Sequence, residues 1–147
     1  MATRIVTLKG QAKWAKIFEA NRDMHGYQGA YEDCDGAYVM NLYLTKDEYE
    51  KLRTAKSATK LLLDEETAER YIKLKRKHKG PFEAVSGAPK VEGWDYDSQG
   101  GLPNGSEVEV TVSVYDTKMT PGTRLDKVKV LKAAEMPKKD DEEDMPF

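Results

Sequence analysis

The sequence predicts an all-β fold with one or two short helices, in which five strands form a small closed antiparallel sheet. Three observations lead to this prediction: strands of alternating apolar residues, connections rich in Gly and Pro, and a single clear helix start. The 147 residues, 39% of them hydrophobic, are enough for one domain with its own core. We therefore expect one domain over residues 1–134 and a disordered acidic tail over residues 135–147.

The first two strands are predicted on either side of a long loop. Residues 4–18 are rich in β-branched and aromatic residues, and Gly10 marks the position where a bulge or a sharp bend is expected. Residues 19–36 contain many turn-forming residues and are predicted to form the loop. Residues 37–44 alternate in hydrophobicity and form the second predicted strand.

A short helix is predicted over residues 46–55, because Thr45 and Glu48 have the spacing of a capping box. Residues 57–68 fit a helix and a strand with a turn equally well. Residues 69–77 alternate between apolar and polar side chains, which predicts the third strand.

The second half of the chain is predicted to hold a long extended connection and the last two strands. Gly and Pro are frequent in residues 80–105, where a short strand is expected around residues 89–94. Residues 106–117 and 122–132 complete the predicted sheet, the former with a valine at every second position from 108 to 114.

The net charge of −2 conceals an uneven distribution. Residues 140–147 hold five acids and no base, so the 24 bases of residues 1–139 face 21 acids and leave that part at +3. A weakly basic body with an acidic tail is typical of a polyanion binder that carries its own competing polyanion. A tail that only increases solubility is the alternative.

Composition also limits the class of protein. A single cysteine, Cys34, excludes an intramolecular disulfide and a cysteine-rich zinc site. No apolar run approaches the roughly 18 residues of a membrane span, and the N-terminal residues have no signal-peptide pattern. We therefore expect a soluble intracellular protein that does not bind membranes.

A basic and aromatic face is predicted where the second and third strands pair, because Asn41 and Tyr43 would share it with Tyr71 and the neighbouring lysines. Aromatic rings stack on bases, and Lys and Arg neutralise phosphates. The alternative is a solvent-exposed edge strand, on which Lys prevents aggregation. The candidate DNA contacts on these two strands are Asn41, Tyr43, Arg70, Tyr71, Lys73, Lys75, Arg76 and Lys77.

Further candidate contacts lie on the first strand and in two loops. They are Trp14, Lys16, Arg22, Tyr27, Lys118 and Arg124. For Trp14, and equally for Phe18, a position in the core is the competing interpretation, since large aromatic residues on strands are usually buried.

No catalytic motif and no cofactor is predicted, so the chain is expected not to be an enzyme. Residues 95–100 resemble the start of a calcium loop, but Ser106 stands where a bidentate Glu is required. The two histidines and the cysteine have no zinc spacing, so no metal is expected.

The last ten residues, KKDDEEDMPF, place a short apolar end behind five acids. A pocket with a hydrophobic floor and a basic rim would capture such an end. The candidate partner-binding residues are Asp140, Asp141, Glu142, Glu143, Asp144, Met145, Pro146 and Phe147.

Several stretches together resemble the single-stranded DNA-binding proteins of tailed bacteriophages, and the tail is similar to the acidic end of bacterial single-stranded DNA-binding proteins. The stretches are GQAKWAKIFEAN (10–21), GAPKV (87–91), NGSEVEVTVSVY (104–115) and GTRLDKVKVL (122–131). The resemblance implies a five-stranded OB-fold barrel that binds single strands without sequence specificity. It also implies a role in phage replication, recombination and repair in the cytoplasm of the infected bacterium.

The same resemblance implies that the tail recruits a polymerase, a helicase or a nuclease and competes with DNA. The oligomeric state stays open, a homodimer included. Two other functions also stay open at this point. One is an RNA-binding OB or cold-shock-like module, and the other is a magnesium-dependent nucleic-acid enzyme that uses Asp95 and Asp97.

Overall fold

The computed structural model describes residues 3–24, 29, 36–79, 87–117 and 121–134. Within these residues it contains seven strands, two short helices and a 3-10 turn at Glu19–Asn21. The strands and helices are β1 (Thr3–Lys16), β2 (Ala37–Tyr43), α1 (Lys46–Thr54), β3 (Leu62–Leu63), β4 (Arg70–Lys77), β5 (Lys90–Glu92), α2 (Tyr96–Gln99), β6 (Ser106–Tyr115) and β7 (Gly122–Lys132). The ambiguous segment 57–68 thus contains a two-residue strand and turns.

The strands form one mixed sheet in the order β3-β4-β2-β1-β6-β7-β5. Only β5 and β7 pair in parallel, and the other neighbours are antiparallel. The expectation of a β-rich fold with one or two short helices is confirmed. The expectation of a closed five-stranded sheet is wrong. β4 pairs with β3 at one edge of the sheet and β7 pairs with β5 at the other, and no backbone ladder within the described residues joins β4 to β7. The two residues of β3 are too few to show a period in the sequence, whereas β5 confirms the short strand expected around residues 89–94.

The core lies on one face of the long strands and follows the predicted alternation. Every second residue of β6, from Val108 to Val114, is fully buried. Leu8 of β1, Leu42 of β2 and Leu125 of β7 are buried with them. Each such side chain contributes roughly 1.5–3 kcal/mol when it is removed from water, so this alternation fixes which face of every strand is left outside.

Helix α1 begins at the predicted cap. The Glu48 N–H donates to the Thr45 hydroxyl at 3.3 Å, as the capping spacing predicts. At the other end of the helix, Arg4 of β1 donates through Nε to the Ala55 carbonyl at 2.6 Å. No helix in the described ranges is long and apolar enough to cross a membrane.

The irregularity of β1 does not lie at Gly10, where the sequence predicts a bulge or bend. Gly10 pairs with Val108 in an unbroken ladder, and the register with β2 shifts between Lys13 and Lys16 instead. Gly10 serves a different purpose: a Cβ at this position would collide with the Tyr43 carbonyl oxygen. The glycine thus permits the close approach of β2, and the bulge lies a few residues further along.

Candidate nucleic-acid interface

The outward side of β2 and β4 forms a continuous surface that we call the β2–β4 face. In the β2–β4 ladder Val39 lies opposite Lys75, Asn41 opposite Lys73, and Tyr43 opposite Tyr71. The face consists of Val39, Asn41, Tyr43, Tyr71, Lys73, Lys75 and Lys77. The register confirms that Asn41 and Tyr43 share a face with Tyr71 and the lysines of β4. The reason is that Ile72 and Leu74 take the buried positions and leave the odd residues outside.

The lysines of this face lack acidic partners. Lys73, Lys75 and Lys77 are exposed, and none of them forms an ion pair with any residue in the described part of the chain. The same holds for Lys16 of β1, which lies opposite Val39 on the far side of β2. Unpaired exposed ammonium groups in a row are available to an external anion.

One end of the face is closed by a packed tyrosine pair. The rings of Tyr43 and Tyr71 stack with centroids 4.9 Å apart at 18°. Lys13 lies 4.3 Å from the Tyr43 ring centroid and forms an ion pair with Glu69 at 3.7 Å. Tyr43 is only 6% exposed. The sequence places Tyr43 among the stacking residues, but the structure leaves its ring no free surface for a base.

The hydroxyl of Tyr43 is also engaged. It donates to Asp64 Oδ2 at 2.7 Å. Burial, together with this hydrogen bond, raises the pKa of Tyr43 above its ordinary value, and the same bond lowers the pKa of Asp64. The Tyr43 side chain therefore anchors the turn after β3 to the sheet, and Tyr71 is left half-buried beside it.

Trp14 is the most exposed large aromatic residue described, with 66% of its surface accessible. Inward residues of β1 are even-numbered up to Ala12, which would place Trp14 in the core. Between Lys13 and Lys16, however, β1 advances three residues while β2 advances two. The extra residue is a β-bulge, and Trp14 within it has a φ of 56°.

The bulge places Trp14 outside the core and so contradicts the competing interpretation of a core position. After it the parity of β1 is reversed, so Ile17 is buried and Lys16 faces outward. A left-handed conformation at a bulky residue costs about 1–3 kcal/mol. Trp14 is held in this conformation with its ring outside the core. Phe18, by contrast, packs against the core and against Tyr96, with ring centroids 5.0 Å apart.

Trp14 and three of the unpaired lysines, Lys16, Lys73 and Lys75, line one groove of about 740 Å³. Its walls come from β1, β2 and β4 and from the segments around residues 58 and 122. They are formed by Trp14, Lys16, Asp23, Val39, Met40, Asn41, Ala58, Thr59, Lys73, Leu74, Lys75, Pro121, Gly122 and Thr123. We call this cavity the Trp14 groove. Five of the residues that the sequence selected for DNA contact, Trp14, Lys16, Asn41, Lys73 and Lys75, thus line a single cavity.

Arg76 and Arg124, both selected from the sequence, lie elsewhere. Arg76 follows Ile72 and Leu74 onto the inner side of β4 and is 8% exposed. Its Nη1 lies 3.1 Å from Asp126 Oδ1, and its Nε donates to the Gly87 carbonyl at 2.9 Å. Burial lowers the pKa of the Arg76 guanidinium, and Asp126 opposes this shift. A buried, paired guanidinium is not available to DNA on the outer face.

Besides Arg76, the Asp126 carboxylate accepts hydrogen bonds from side chains of β6 and β7. Arg124 Nε donates to Asp126 Oδ1 at 2.7 Å, and the Ser113 hydroxyl donates to the other carboxylate oxygen. The Arg124 guanidinium also lies 5.6 Å from the Tyr115 ring. This cluster connects β4 to β6 and β7 through side chains. The Arg124 guanidinium is thus engaged in contacts within the fold.

The remaining candidates are dispersed. Arg22 donates through Nη1 to the Glu19 carbonyl at 2.8 Å and is half-buried. Arg70 is exposed at the start of β4, where it lines a different cavity with Lys9 and Lys46. Tyr27, Lys118 and the whole tail of residues 135–147 lie outside the described residues, so their predicted contacts remain predictions.

Asp95, one of the two aspartates of the alternative enzyme hypothesis, is used in the local fold. Asp95 caps α2: its Oδ1 accepts the Asp97 N–H at 3.2 Å and its Oδ2 accepts the Ser98 hydroxyl at 2.9 Å. Both oxygens of Asp95 are thus used in the local turn. Among the described residues no group of three or more His, Cys, Asp or Glu side chains is close enough to hold a metal ion.

Sequence reasoning missed two residues at the site. Lys13 lies over the Tyr43 ring, and Asn104 accepts the Trp14 N–H at 2.8 Å through its Oδ1. The Asn104-Gly105 pair is a recognisable turn signal, but nothing local in the sequence indicates that its side chain reaches a residue 90 positions away.

Comparison with known proteins adds no family to this description. No protein-family model and no curated protein sequence matches the chain.

Proposed function

We propose that this protein binds single-stranded DNA without sequence preference, with the strand lying in the Trp14 groove and along the β2–β4 face. The observation that supports this most strongly is the presence of an exposed Trp14 in the same cavity as Lys16, Lys73 and Lys75. An aromatic platform beside unpaired ammonium groups is the combination that single strands require, because every base has a face to stack and every nucleotide carries a phosphate.

The arrangement favours a single strand over a duplex. Stacking on Trp14 requires an unpaired base whose face is accessible, and the bases of a duplex are stacked on each other. Asn41, opposite Lys73 and also lining the groove, adds an amide that can hydrogen-bond to a base edge or a phosphate. The three lysines supply the electrostatic part of the affinity, which does not depend on sequence.

The finer details of the proposal come from the sequence resemblance. The five long strands β1, β2, β4, β6 and β7 belong to one open sheet, in which the Arg76–Asp126 ion pair connects β4 to β7 through side chains. The acidic tail would compete with DNA for the basic face, and its terminal Phe147 would be released for a replication or recombination protein when DNA binds.

A gel-shift series of the full chain with single- and double-stranded DNA tests the proposal. We expect tighter binding to the single strand, and an affinity that falls as salt is raised because counterions are released on binding. Equal affinity for both forms, or no dependence on salt, would contradict it. Competition between poly-dT and poly-U separates DNA from RNA binding.

Removal of residues 138–147 tests the function of the tail. If the tail competes with DNA, its deletion raises the affinity for single strands, most strongly at low salt, and abolishes capture of the partner protein. If both properties stay unchanged, the tail only increases solubility.

A further inference from the structure

Trp14 is held outside the core by a turn from a distant part of the chain. The ladder between β1 and β6 ends at Ala12 opposite Ser106. Beyond it, the Gly105 N–H donates to the Ala12 carbonyl at 2.8 Å, and Asn104 Oδ1 accepts the Trp14 N–H at 2.8 Å. The turn before β6 therefore binds β1 on both sides of Lys13.

At this point the Asn104 side chain supplies the hydrogen-bond acceptor that a neighbouring strand supplies in a regular ladder. In the bulge the Trp14 N–H has left the regular ladder, and a backbone N–H without a partner is unfavourable. The carboxamide oxygen accepts that N–H while Trp14 is in the left-handed region at φ 56°. Without this acceptor, the hydrogen bond no longer keeps Trp14 from returning to the extended conformation, which is the one that tryptophan prefers.

We propose that Asn104 is a positioning residue for the DNA site: its side chain holds Trp14 in the bulged conformation and so presents the indole to the groove. Asn104 itself is not among the residues that line the groove, and its effect on the site is therefore assigned to its hydrogen bond with Trp14. The inference rests on the proposed function, since it assigns a role in the same site. It also gives the connection between α2 and β6 a role in setting up the binding surface.

A double-mutant cycle between Asn104 and Trp14 tests the inference. We expect Asn104→Ala to weaken binding of oligo-dT by about threefold, which is part of the loss expected when the Trp14 ring itself is removed. In a Trp14→Ala background the same substitution should change the Kd by less than twofold. Ser98→Ala, a matched removal of one exposed hydrogen bond in the neighbouring helix α2, should leave the Kd unchanged.

A spectroscopic measurement separates positioning from general stability. In a Trp94→Phe protein Trp14 is the only tryptophan, so its emission reports the bulge directly. Asn104→Ala should change the Trp14 emission of the free protein while the far-UV circular dichroism stays the same. Asn104→Asp, which keeps an oxygen acceptor, should restore the wild-type emission.

The outcomes distinguish this inference from the proposed function. If Trp14→Ala weakens binding but Asn104→Ala leaves both the Kd and the Trp14 emission unchanged, the positioning role is wrong and the DNA site stands. If Asn104→Ala weakens binding equally with and without Trp14, the residue acts by another route and the inference is also wrong. If Trp14→Ala itself leaves the Kd unchanged, the stacking site fails and the positioning role with it.

Discussion

Two lysine-rich faces on the outside of the sheet differ in whether acidic side chains form ion pairs with the lysines. We call the second one the β5–β7 face; it consists of Lys9, Lys90, Glu92, Glu109, Lys127 and Lys129. There Glu92 lies 3.2 Å from Lys127 and 3.5 Å from Lys90, and Glu109 lies 3.9 Å from Lys9. Lys129 stands between Glu109 and Glu92 in the register.

The β2–β4 face has lysines at similar density without such partners. Among the residues that the structure describes, its three lysines form no ion pair, and the nearby Glu69 is engaged by Lys13. The number of lysines therefore does not separate the proposed binding face from the β5–β7 face. What matters is whether the neighbouring strand supplies acids, because a paired lysine adds little net field for an external anion.

The largest difference should come from removing lysines from each face. Lys73→Ala with Lys75→Ala should weaken single-strand binding about thirtyfold at low salt and reduce the slope of log K against log salt by about 1.4, since each phosphate contact to a single strand contributes roughly 0.7. Lys90→Ala with Lys127→Ala, which removes the same charge from the β5–β7 face, should change the Kd by less than about threefold. Similar losses from both pairs would erase the distinction between the faces.

Removing the indole tests the aromatic part of the site. Trp14→Ala should weaken binding about tenfold, which lies within the range of roughly 1–3 kcal/mol for one stacked base. Trp14→Phe should recover much of that loss, because it keeps an aromatic face. The salt slope should stay the same for both variants, since no cation is removed. A changed slope with an unchanged affinity would indicate that Trp14 affects the lysines and does not stack.

The β5–β7 face should gain affinity when its acids are neutralised. Glu92→Gln with Glu109→Gln frees lysines there, and we expect binding to strengthen about twofold to threefold at low salt. Glu65→Gln with Glu66→Gln changes the net charge equally at exposed turn positions and serves as the control. If the control strengthens binding as much, only net charge matters and the arrangement of acids does not.

The Glu92 variant also has a pH signature. The hydrogen bond from Lys127 lowers the pKa of Glu92 below its ordinary value of 4.5. A carboxyl whose pKa is lowered in the folded state stabilises the fold above its unfolded pKa, and this contribution is lost as the pH falls through the folded pKa. Glu92→Gln should therefore make the acid side of a Tm-against-pH curve flatter than that of the wild type.

The smallest effect on binding is expected at Tyr43. Tyr43→Phe removes the hydrogen bond to Asp64 but keeps the buried ring, so the Kd should change by less than about twofold. The Tm should fall by a few degrees at neutral pH. Because the same bond lowers the pKa of Asp64, the difference from wild type should shrink in acid. A large loss of DNA binding would show that Tyr43 contacts the strand after all.

The period of the side chains made the β2–β4 face predictable. In residues 69–77 the alternation assigns every odd residue to one side, and a register shift by one would bury the lysines. The same alternation implies that Arg76 is buried, because residue 76 continues the buried series of Ile72 and Leu74. Its partner Asp126 lies 50 residues away on another strand, so the sequence around Arg76 does not indicate which acid pairs with the buried guanidinium.

Trp14 shows where a periodic argument fails. One extra residue between Lys13 and Lys16 reverses the parity of β1, and the side chain that stabilises it comes from Asn104. Neither the bulge nor this long-range hydrogen bond can be recognised from the sequence pattern around Trp14. The expectation of a closed sheet failed because β3 and β5 occupy the edges at which closure was expected. The short strand expected around residues 89–94 is present as β5, but three residues carry no signal that it pairs with β7 at the edge of the sheet.

The most direct test of the single-strand site is the emission of Trp14 during a titration with oligo-dT. In the Trp94→Phe protein we expect the emission to be quenched as the strand stacks on the indole, and to recover when salt dissociates the complex. Double-stranded DNA of the same length should quench much less. Binding that is visible by gel shift but leaves the Trp14 emission unchanged would place the DNA elsewhere and contradict the proposed site.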